Sequence, residues 1–112
     1  VPLVMVIGVA GPYSASTEEL RKSNLDAMNA AAARLLEMGH VPVIGMNAAL
    51  PVLEQANIGD RYEGVMRISL AVISGCDALL LIGESPGANM ERDLILAQGK
   101  PVFTRIQDVP LP

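Results

Sequence analysis

Two patterns of hydrophobic and polar positions alternate along the chain. A continuous apolar run at residues 4–10 predicts a strand that is buried on both faces, and shorter runs predict further strands at residues 41–45, 78–82 and 101–104. Longer stretches in which apolar residues recur at helical spacing predict amphipathic helices at residues 16–39, 60–74 and 88–98, and a short helix is expected at residues 51–56, within a segment that has a weaker pattern. The chain is therefore expected to have an α/β fold.

The first of these helices has the clearest start and stop signals. Ser16 and Glu19 have the spacing of a capping box, in which each side chain binds the backbone N–H of the other residue. Gly39 follows the last apolar position and is expected to end the helix. The apolar residues that recur at helical spacing, and that we expect to be buried, are Leu25, Met28, Ala32, Leu35 and Leu36.

The order of these elements predicts how the strands are arranged. Strands that alternate with helices form parallel sheets with right-handed crossovers. The expected strand order is 2-1-3-4, in a flavodoxin-like doubly wound parallel sheet with helices on both faces. Residues 1–112 form one domain in this interpretation, and residues 105–112, which include two prolines, form an extended C-terminal tail.

This strand order predicts a crevice at the carboxyl edge of the sheet. The winding of the chain reverses between the first and third strands, so the loops that follow these strands part and open a ligand site. One loop reads GPYSAS, residues 11–16, and the other reads GESPGAN, residues 83–89. A pocket is therefore expected between two loops that are far apart in the chain.

Charge, cysteine content and the uncharged first segment argue against several classes of protein. The net charge is -4 and the eight Lys and Arg residues are scattered, which argues against nucleic-acid binding. The single cysteine, Cys76, excludes an internal disulfide and is compatible with a reducing cytoplasm. The uncharged run at residues 1–17 is interrupted by Gly8 and by Gly11-Pro12, so it predicts a buried strand rather than a membrane anchor or a signal peptide.

The expected position of a residue relative to the two edges of the sheet excludes several catalytic candidates. His40, Cys76 and Asp77 each precede a strand, so we expect them at the amino edge, away from the crevice. With His40 interpreted as a surface or helix-end histidine, no Ser-His-Asp triad is available. The sequence has no spacing typical of a zinc site, no GxGxxG and no Walker lysine motif. We therefore expect neither a metal nor a cofactor.

Glu91 is the main catalytic candidate among the polar residues at the carboxyl edge. It lies three and four residues before Leu94 and Ile95, at the border of the buried stripe of its helix. A carboxylate in that position can be desolvated enough to act as a nucleophile or a base. Alternatively, it only complements the positive end of the helix dipole. The other polar residues expected at this edge are Tyr13, Ser14, Ser16, Asn47, Glu84, Ser85 and Asn89.

The segment Ser85-Pro86-Gly87 also allows two interpretations. In one, it is a tight strand-to-helix turn, in which Pro86 fixes φ and Gly87 permits an unusual backbone angle. In the other, the Ser85 hydroxyl and the free N–H groups of the helix start bind a phosphate or sugar oxygen. Ser14, Ser16 and Thr17, at the start of the first helix, admit the same alternatives.

Three segments together resemble one known family, the nucleoside 2-deoxyribosyltransferase-like proteins, in particular their short bacterial and phage-type members. The segments are GPYSAS after the first strand, YEGVMRISLAVISGCDALLLI at residues 62–82 and SPGANMERDLILAQGKPVF at residues 85–103. The resemblance covers residues 4–103. Its most specific part is Ser-Pro-Gly, then Glu91 four residues after that glycine, then the pattern AxGKPV.

The resemblance implies cleavage or transfer at the N-glycosidic bond of a nucleoside or nucleoside 5′-monophosphate, without a metal or cofactor. It implies that Glu91 is the nucleophile on the anomeric carbon, as carboxylates are in retaining glycosidases. It also implies a homodimer or larger assembly in which a neighbouring chain completes the pocket, and uncovered apolar helix surface around residues 30–33 points the same way. The residues expected to bind the substrate are Gly11, Pro12, Tyr13, Ser14, Asn47, Ser69, Ser85, Pro86, Gly87 and Asn89. Met46 and Leu50 are expected to line the base pocket with them.

Ser69 is a departure from that family. It lies eight residues before Asp77, where the family enzymes usually have an aspartate that assists at the sugar or base. Serine donates a hydrogen bond but does not take up a proton at neutral pH, so Glu84 or Glu63 would have to substitute. Alternatively, the chain is a nucleotide-binding or sensing module without turnover. A third possibility, a related phosphoribohydrolase, is disfavoured because its loop needs Pro-Gly-Gly and this chain has the single Gly87.

Overall fold

The computed structural model describes residues 3–112, which form four strands and four α-helices. The strands are β1 (Val6–Ala10), β2 (Val41–Val43), β3 (Ala78–Leu81) and β4 (Val102–Phe103). The helices are α1 (Glu18–Glu37), α2 (Gly45–Gln55), α3 (Arg61–Ser74) and α4 (Pro86–Ala97), and a 3-10 turn follows at Ile106–Asp108. Within residues 3–112, no helix combines the length and the apolarity that crossing a membrane requires.

The four strands form one parallel sheet in the order β2-β1-β3-β4. In this register Ile7 of β1 lies beside Ala78 of β3, and Leu79 lies beside Val102 of β4. Helices connect each strand to the next and pack around the sheet. This arrangement confirms the predicted α/β, flavodoxin-like fold.

Alternate strand residues pack into two core clusters on opposite faces of the sheet. The cluster on the α1 face consists of Ile7, Val9, Met28, Ala32, Leu35, Ile44, Ala78, Leu80 and Val109. The cluster on the face of α3 and α4 consists of Ala10, Ile73, Cys76, Leu79, Leu81, Ala88 and Ile95. Gly8 lies on this second face, where a Cβ atom would overlap the Ile73 side chain, so glycine lets α3 approach the sheet closely.

The N-cap of helix α1 lies one residue later than predicted. Thr17 is the N-cap, and its Oγ1 accepts a hydrogen bond from the Leu20 N–H at 3.1 Å. The predicted capping box that starts at Ser16 is therefore wrong, and since both residue types cap helices, residue type alone does not separate them. Gly39 ends the helix as predicted, with a left-handed φ of 104°. Leu36 is 63% exposed and lies off the buried stripe.

Helix α2 is longer than predicted and runs through a proline. It begins at Gly45, whereas the sequence predicts a helix over residues 51–56, because proline usually marks a helix start. Pro51 instead lies inside the helix, where it has no N–H to donate to the carbonyl of Asn47. Burial of Ala49 and Leu53 compensates for this loss, since tertiary packing supplies most helix stability. The predicted ends of α3, α4, β3 and β4 agree with the structure to within two residues.

The C-terminal segment is docked on the sheet rather than extended. It contains the 3-10 turn, and Val109 is buried. The Nε2 atom of His40 donates to the Pro110 carbonyl oxygen at 2.6 Å, and its Nδ1 accepts from the Met5 N–H at 3.1 Å. These bonds fix the neutral tautomer that carries its proton on Nε2. His40 lies away from the predicted crevice, as expected, but it is buried, at 1% exposure, rather than on the surface.

Candidate functional site

A pocket of about 940 Å³ opens at the carboxyl edge of the sheet. This volume lies near the upper end of the range for small-molecule sites, about 300–1,000 Å³. Residues of β1, of the loops after β1 and β3, and of all four helices line it. The predicted site residues among them are Gly11, Tyr13, Ser14, Ser85, Pro86, Gly87 and Glu91.

The two loops predicted to face each other are in contact where they leave the sheet. A Cβ atom on Gly11 would lie 2.7 Å from Ile82 Cγ1, and a Cβ atom on Gly83 would lie 2.9 Å from Pro12 Cδ. Both glycines are therefore needed for the close approach. Pro12 packs in this contact and does not line the pocket, which begins further along both loops.

Glu91 lines the pocket from the second turn of α4. It is 6% exposed, and this burial raises the pKa of its carboxyl group to about 7, because the charged form loses its water. No ion pair within residues 3–112 involves Glu91. A carboxylate that served mainly to complement the helix dipole would have its pKa lowered instead. The environment of Glu91 thus fits a reactive carboxyl group better than a helix-stabilising one.

The start of α4 leaves one backbone donor available beside Glu91. Ser85 is the N-cap, and its Oγ accepts from the Ala88 N–H at 3.1 Å, while its carbonyl accepts from the Asn89 N–H at 2.8 Å. Pro86 has no N–H. Gly87 N–H therefore has no hydrogen-bond partner among residues 3–112, and Gly87 is one of the residues that line the pocket. The Ser85 hydroxyl can still donate its own proton to a ligand.

Arg21 and Arg61, which were not among the predicted site residues, also line the pocket. Arg21 donates from Nη1 to the Ala15 carbonyl at 2.9 Å, and Arg61 donates from Nη1 to the Leu53 carbonyl at 2.8 Å. No carboxylate of residues 3–112 lies within ion-pair distance of either guanidinium. Backbone carbonyls thus position both groups, whose remaining N–H donors can bind an anion.

A positional signal in the sequence could have identified these arginines. In a sheet of this type the helix N-termini lie at the carboxyl edge of the strands, where ligands bind. Arg21 is in the first turn of α1 and Arg61 is the first residue of α3. Charged residues in the first turn of a crossover helix are therefore site candidates, even when the basic residues of the whole chain look scattered.

Both predicted asparagines lie outside the pocket. Asn47 donates from Nδ2 to Asn29 Oδ1 at 2.7 Å, on the exposed side of α2. Asn89 accepts at Oδ1 from Arg92 Nη1 at 3.2 Å. Neither lines the pocket, whereas Met46, next to Asn47, does.

The two carboxylates considered as substitutes for the family aspartate also lie outside the pocket. Glu84 is paired with Arg92 at 3.3 Å, and its side chain is 73% exposed. Glu63 is paired with Arg67 at 3.9 Å and is also exposed. Glu91 is therefore the only carboxylate that lines the pocket among the residues that the structure describes.

Ser69 is buried between α2 and α3 and does not line the pocket. Its Oγ has no hydrogen-bond partner within residues 3–112. A Cβ atom on Gly45 would lie 2.8 Å from Ser69 Cβ, so the start of α2 packs directly on this residue. An aspartate at this position would need space that α2 occupies, and its charge would be buried without a partner.

In the described part of the chain, no three His, Cys, Asp or Glu side chains lie together as metal ligands would. The chemistry available in the pocket comes from one desolvated carboxyl group, two guanidiniums, the phenols of Tyr13 and Tyr62, and the start of α4. This set can attack or stabilise a cationic carbon with the carboxylate and hold an anion with the arginines.

Sequence comparison assigns this architecture to a family but not to an activity. No curated protein matches the chain. A family model described as a domain of unknown function (DUF4406) matches residues 5–104, a range that contains the whole sheet, the four α-helices and the residues that line the pocket. The chain belongs to the DUF4406 family.

Proposed function

We propose that this chain breaks the N-glycosidic bond of a nucleoside or nucleoside 5′-monophosphate, by hydrolysis or by transfer of the sugar, with Glu91 as the nucleophile. The resemblance of residues 11–16, 62–82 and 85–103 to nucleoside 2-deoxyribosyltransferase-like proteins suggests this chemistry. The observation that carries the proposal is the buried carboxyl group of Glu91 in a pocket with room for a nucleotide.

The surroundings of Glu91 suit a carboxylate that attacks a sugar. With its pKa raised to about 7, the group is substantially ionised at neutral pH but poorly stabilised by its surroundings. The oxocarbenium-like transition state of glycosidic cleavage places positive charge beside this carboxylate. Because charges attract more strongly in a site without water, the transition state gains more from Glu91 than the ground state does.

The proposed reaction has two steps. In the first, an oxygen of Glu91 forms a bond to C1′ while the C1′–N bond breaks, and its electron pair leaves with the base, which takes a proton from water or from a phenol of the pocket. Tyr13 and Tyr62 are the phenols that line it. In the second step, water or an acceptor base attacks C1′, donating its proton to the surroundings, and the bond to Glu91 breaks to restore the carboxylate.

The charges at the pocket favour a ligand that carries an anion. Arg21 and Arg61 have no carboxylate partner within residues 3–112, and Gly87, at the start of a helix, lines the same pocket. Guanidiniums and helix N-termini are common phosphate ligands. These groups support a 5′-monophosphate as a substrate in addition to the free nucleoside.

The proposal can be tested by following release of the free base. Purified protein is incubated with a panel of nucleosides and 5′-monophosphates, and the products are separated by chromatography. We expect release by the wild type and a loss of at least about 10³-fold in Glu91→Gln, since the nucleophile is removed. Glu54→Gln, at an exposed glutamate of α2 outside the pocket, is the matched control and should keep full activity. Equal release by the wild type and Glu91→Gln would show that the proposal is wrong.

A second candidate function is nucleotide binding without turnover. The observation that favours it is the position of Ser69, Glu63 and Glu84, none of which lines the pocket. Without a second carboxylate, general acid catalysis, which contributes about 10²–10⁴ in rate, is left to water or to the phenols of Tyr13 and Tyr62. Thermal stabilisation by members of the same panel, with no base released after long incubation, would favour this function over the first.

A further inference from the structure

The C-terminal segment, residues 105–112, is joined to the rest of the described chain by one hydrogen bond. His40 Nε2 donates to the Pro110 carbonyl at 2.6 Å. The other backbone bonds of the segment lie within its own 3-10 turn and the caps of that turn, and no ion pair of residues 3–112 involves it. A single imidazole therefore provides the polar attachment of the whole segment.

The rest of the attachment is apolar and small. Val109 is buried in the core cluster on the α1 face, and Ile106 packs against that cluster. The exposed residues of the segment are Arg105, Gln107, Asp108, Pro110 and Leu111. Segments with few buried contacts open locally at a low free energy, so a change at His40 can move the balance between a docked and a released form.

The docked form requires a neutral imidazole. Met5 N–H donates to His40 Nδ1 at 3.1 Å, so this nitrogen carries no proton. In the charged imidazole both ring nitrogens carry protons, and Nδ1 then faces the Met5 N–H as a second donor. Met5 is held in place, because its carbonyl accepts from the Val41 N–H at 3.0 Å and β1 begins at the next residue. Protonation therefore removes one of the two hydrogen bonds of the ring.

The surroundings of His40 also provide no partner for a positive charge. The residue is 1% exposed, and no carboxylate of residues 3–112 lies within ion-pair or hydrogen-bond distance of its ring. Residues 3–5 and β2, which flank it, have no titratable side chain. The charged side chains on the other elements around it are all exposed, namely Arg34, Glu37, Asp77, Arg105 and Asp108. A buried charge without a partner is costly, so the charged ring needs water, which reaches it when Pro110 moves away.

We propose that His40 is an acid-sensitive switch, which releases the C-terminal segment from the sheet when its imidazole takes up a proton. An imidazole in water gains its proton near pH ~6.5. Because the released form binds this proton and the docked form excludes it, docking is strongest above that pH and weakens as the pH falls. Release removes Ile106 from the hollow of about 320 Å³ that it lines with Ala30 and Leu80, so an apolar groove opens beside α1.

Amide hydrogen exchange at pH 7.5 and pH 5.0 tests the switch, with each rate divided by the intrinsic rate at the same pH. Release gains a factor of about ten for each pH unit below about 6.5, so protection of the Val109 N–H should fall about 30-fold at pH 5.0. The Met5 N–H should lose protection with it, since its acceptor becomes a donor. Strand β3 should stay protected, because it belongs to the core. Equal protection of Val109 at both pH values would overturn the proposal.

The protonation state of the ring can be measured in the same samples. His40 is the only histidine of the chain, so the ¹⁵N chemical shifts of the imidazole report on it alone. At pH 7.5 the proton is expected on Nε2, and at pH 5.0 the charged ring should appear together with the released segment. A charged ring beneath a C-terminal segment that keeps its protection would show that the two are not coupled.

Glu91 also titrates in this pH range and provides a control. Its pKa is raised to about 7, but it lies at the opposite edge of the sheet, and its burial makes the fold more stable at lower pH. Glu91→Gln should therefore show the same loss of protection at Val109. If the loss disappears in this variant, Glu91 causes it and the proposal is wrong.

His40→Gln separates the switch from a purely structural role. Glutamine keeps a donor and an acceptor but has no group that titrates between pH 5.0 and pH 7.5. Whatever its protection at pH 7.5, this variant should show no further loss at pH 5.0, and a loss of about 30-fold would contradict the proposal. If His40→Gln does not fold, the wild type decides, because its protection must fall about tenfold per pH unit below about 6.5.

Discussion

Replacement of Glu91 by glutamine should stabilise the protein, and it should do so more strongly as the pH rises. Burial raises the pKa of Glu91 from an ordinary value of 4.5 to about 7. Between these two values the folded protein binds a proton at this site that the unfolded chain has released, so stability falls as the pH increases. Above pH 7 the full cost of holding the charge in the pocket is present.

The magnitude follows from the two pKa values. Each pKa unit corresponds to about 1.4 kcal/mol, so the change from 4.5 to about 7 amounts to about 3 kcal/mol of lost stability at pH 8. At pH 4 the carboxyl group is mostly protonated in both states, and the loss is close to zero. Glutamine has nearly the same shape and no charge to bury. For a domain of this size, about 3 kcal/mol corresponds to a rise in Tm of about 10 °C.

Thermal unfolding of the wild type and of Glu91→Gln at both pH values measures this difference. The expected result is a variant that unfolds about 10 °C higher than the wild type at pH 8 and within about 2 °C of it at pH 4. Glu54→Gln, at an exposed glutamate, should leave Tm nearly unchanged at both pH values. If the Tm difference between Glu91→Gln and the wild type were the same at both pH values, the carboxyl group would be hydrated and the reasoning about its burial refuted.

Three further predictions concern other parts of the molecule. His40→Ala removes the buried contacts to Met5 and Pro110, so we expect about 2–4 kcal/mol less stability in urea unfolding and faster amide exchange in residues 105–112; unchanged exchange there would contradict the anchoring role. Ser69→Ala removes a buried hydroxyl that has no partner in residues 3–112, so stability should stay the same or rise by about 1 kcal/mol, and a clear loss would reveal a missed hydrogen bond. The chain should sediment as a homodimer at micromolar concentration, and Ala30→Arg should shift it toward monomer if the exposed alanines of α1 form the contact; a monomeric wild type would contradict this.

The sequence pattern predicts the strands of the sheet more accurately than it predicts the start of α2. The strands β1 and β3 could be predicted because a strand covered on both faces needs an unbroken apolar run. The start of α2 could not, because Pro51 is a local signal for a helix start, while the burial of Ala49 and Leu53 depends on packing against the rest of the fold. The local signal at Pro51 therefore gives the wrong start for α2, because tertiary packing of the helix outweighs it.

The candidate site could be predicted as far as topology determines it. Strand order fixes which loops meet, so Tyr13 and Ser85 were placed correctly at one pocket. The side chain of Asn47 could not be placed, because its orientation depends on Asn29, which lies 18 residues away on α1. Helical spacing shows which residues share a face, but it does not show which neighbour a polar side chain will bind.

Hydrogen bonds close the amino edge of the sheet. The Val6 N–H donates to Asp77 Oδ2 at 2.8 Å, and the Lys100 Nζ donates to the Cys76 carbonyl at 2.6 Å. His40 adds two more bonds that join the segment before β1 to the C-terminal segment. Charged and polar side chains at this edge thus bind backbone groups of the same protein and stabilise the fold.

The carboxyl edge has the opposite character, and this difference is the physical argument for a ligand there. Glu91 and the guanidiniums of Arg21 and Arg61 lie at one pocket without partners of opposite charge among residues 3–112. A fold that used Glu91 only for its own stability would pair its carboxylate or leave it in water, since a buried charge without a partner costs free energy, whereas Arg61 is exposed and Arg21 is only partly buried. Here the carboxylate is desolvated, and the arginines are held by backbone carbonyls instead of acids. A ligand with positive charge developing at one carbon and an anion further along supplies both missing partners. A nucleotide whose glycosidic bond is breaking has that distribution of charge.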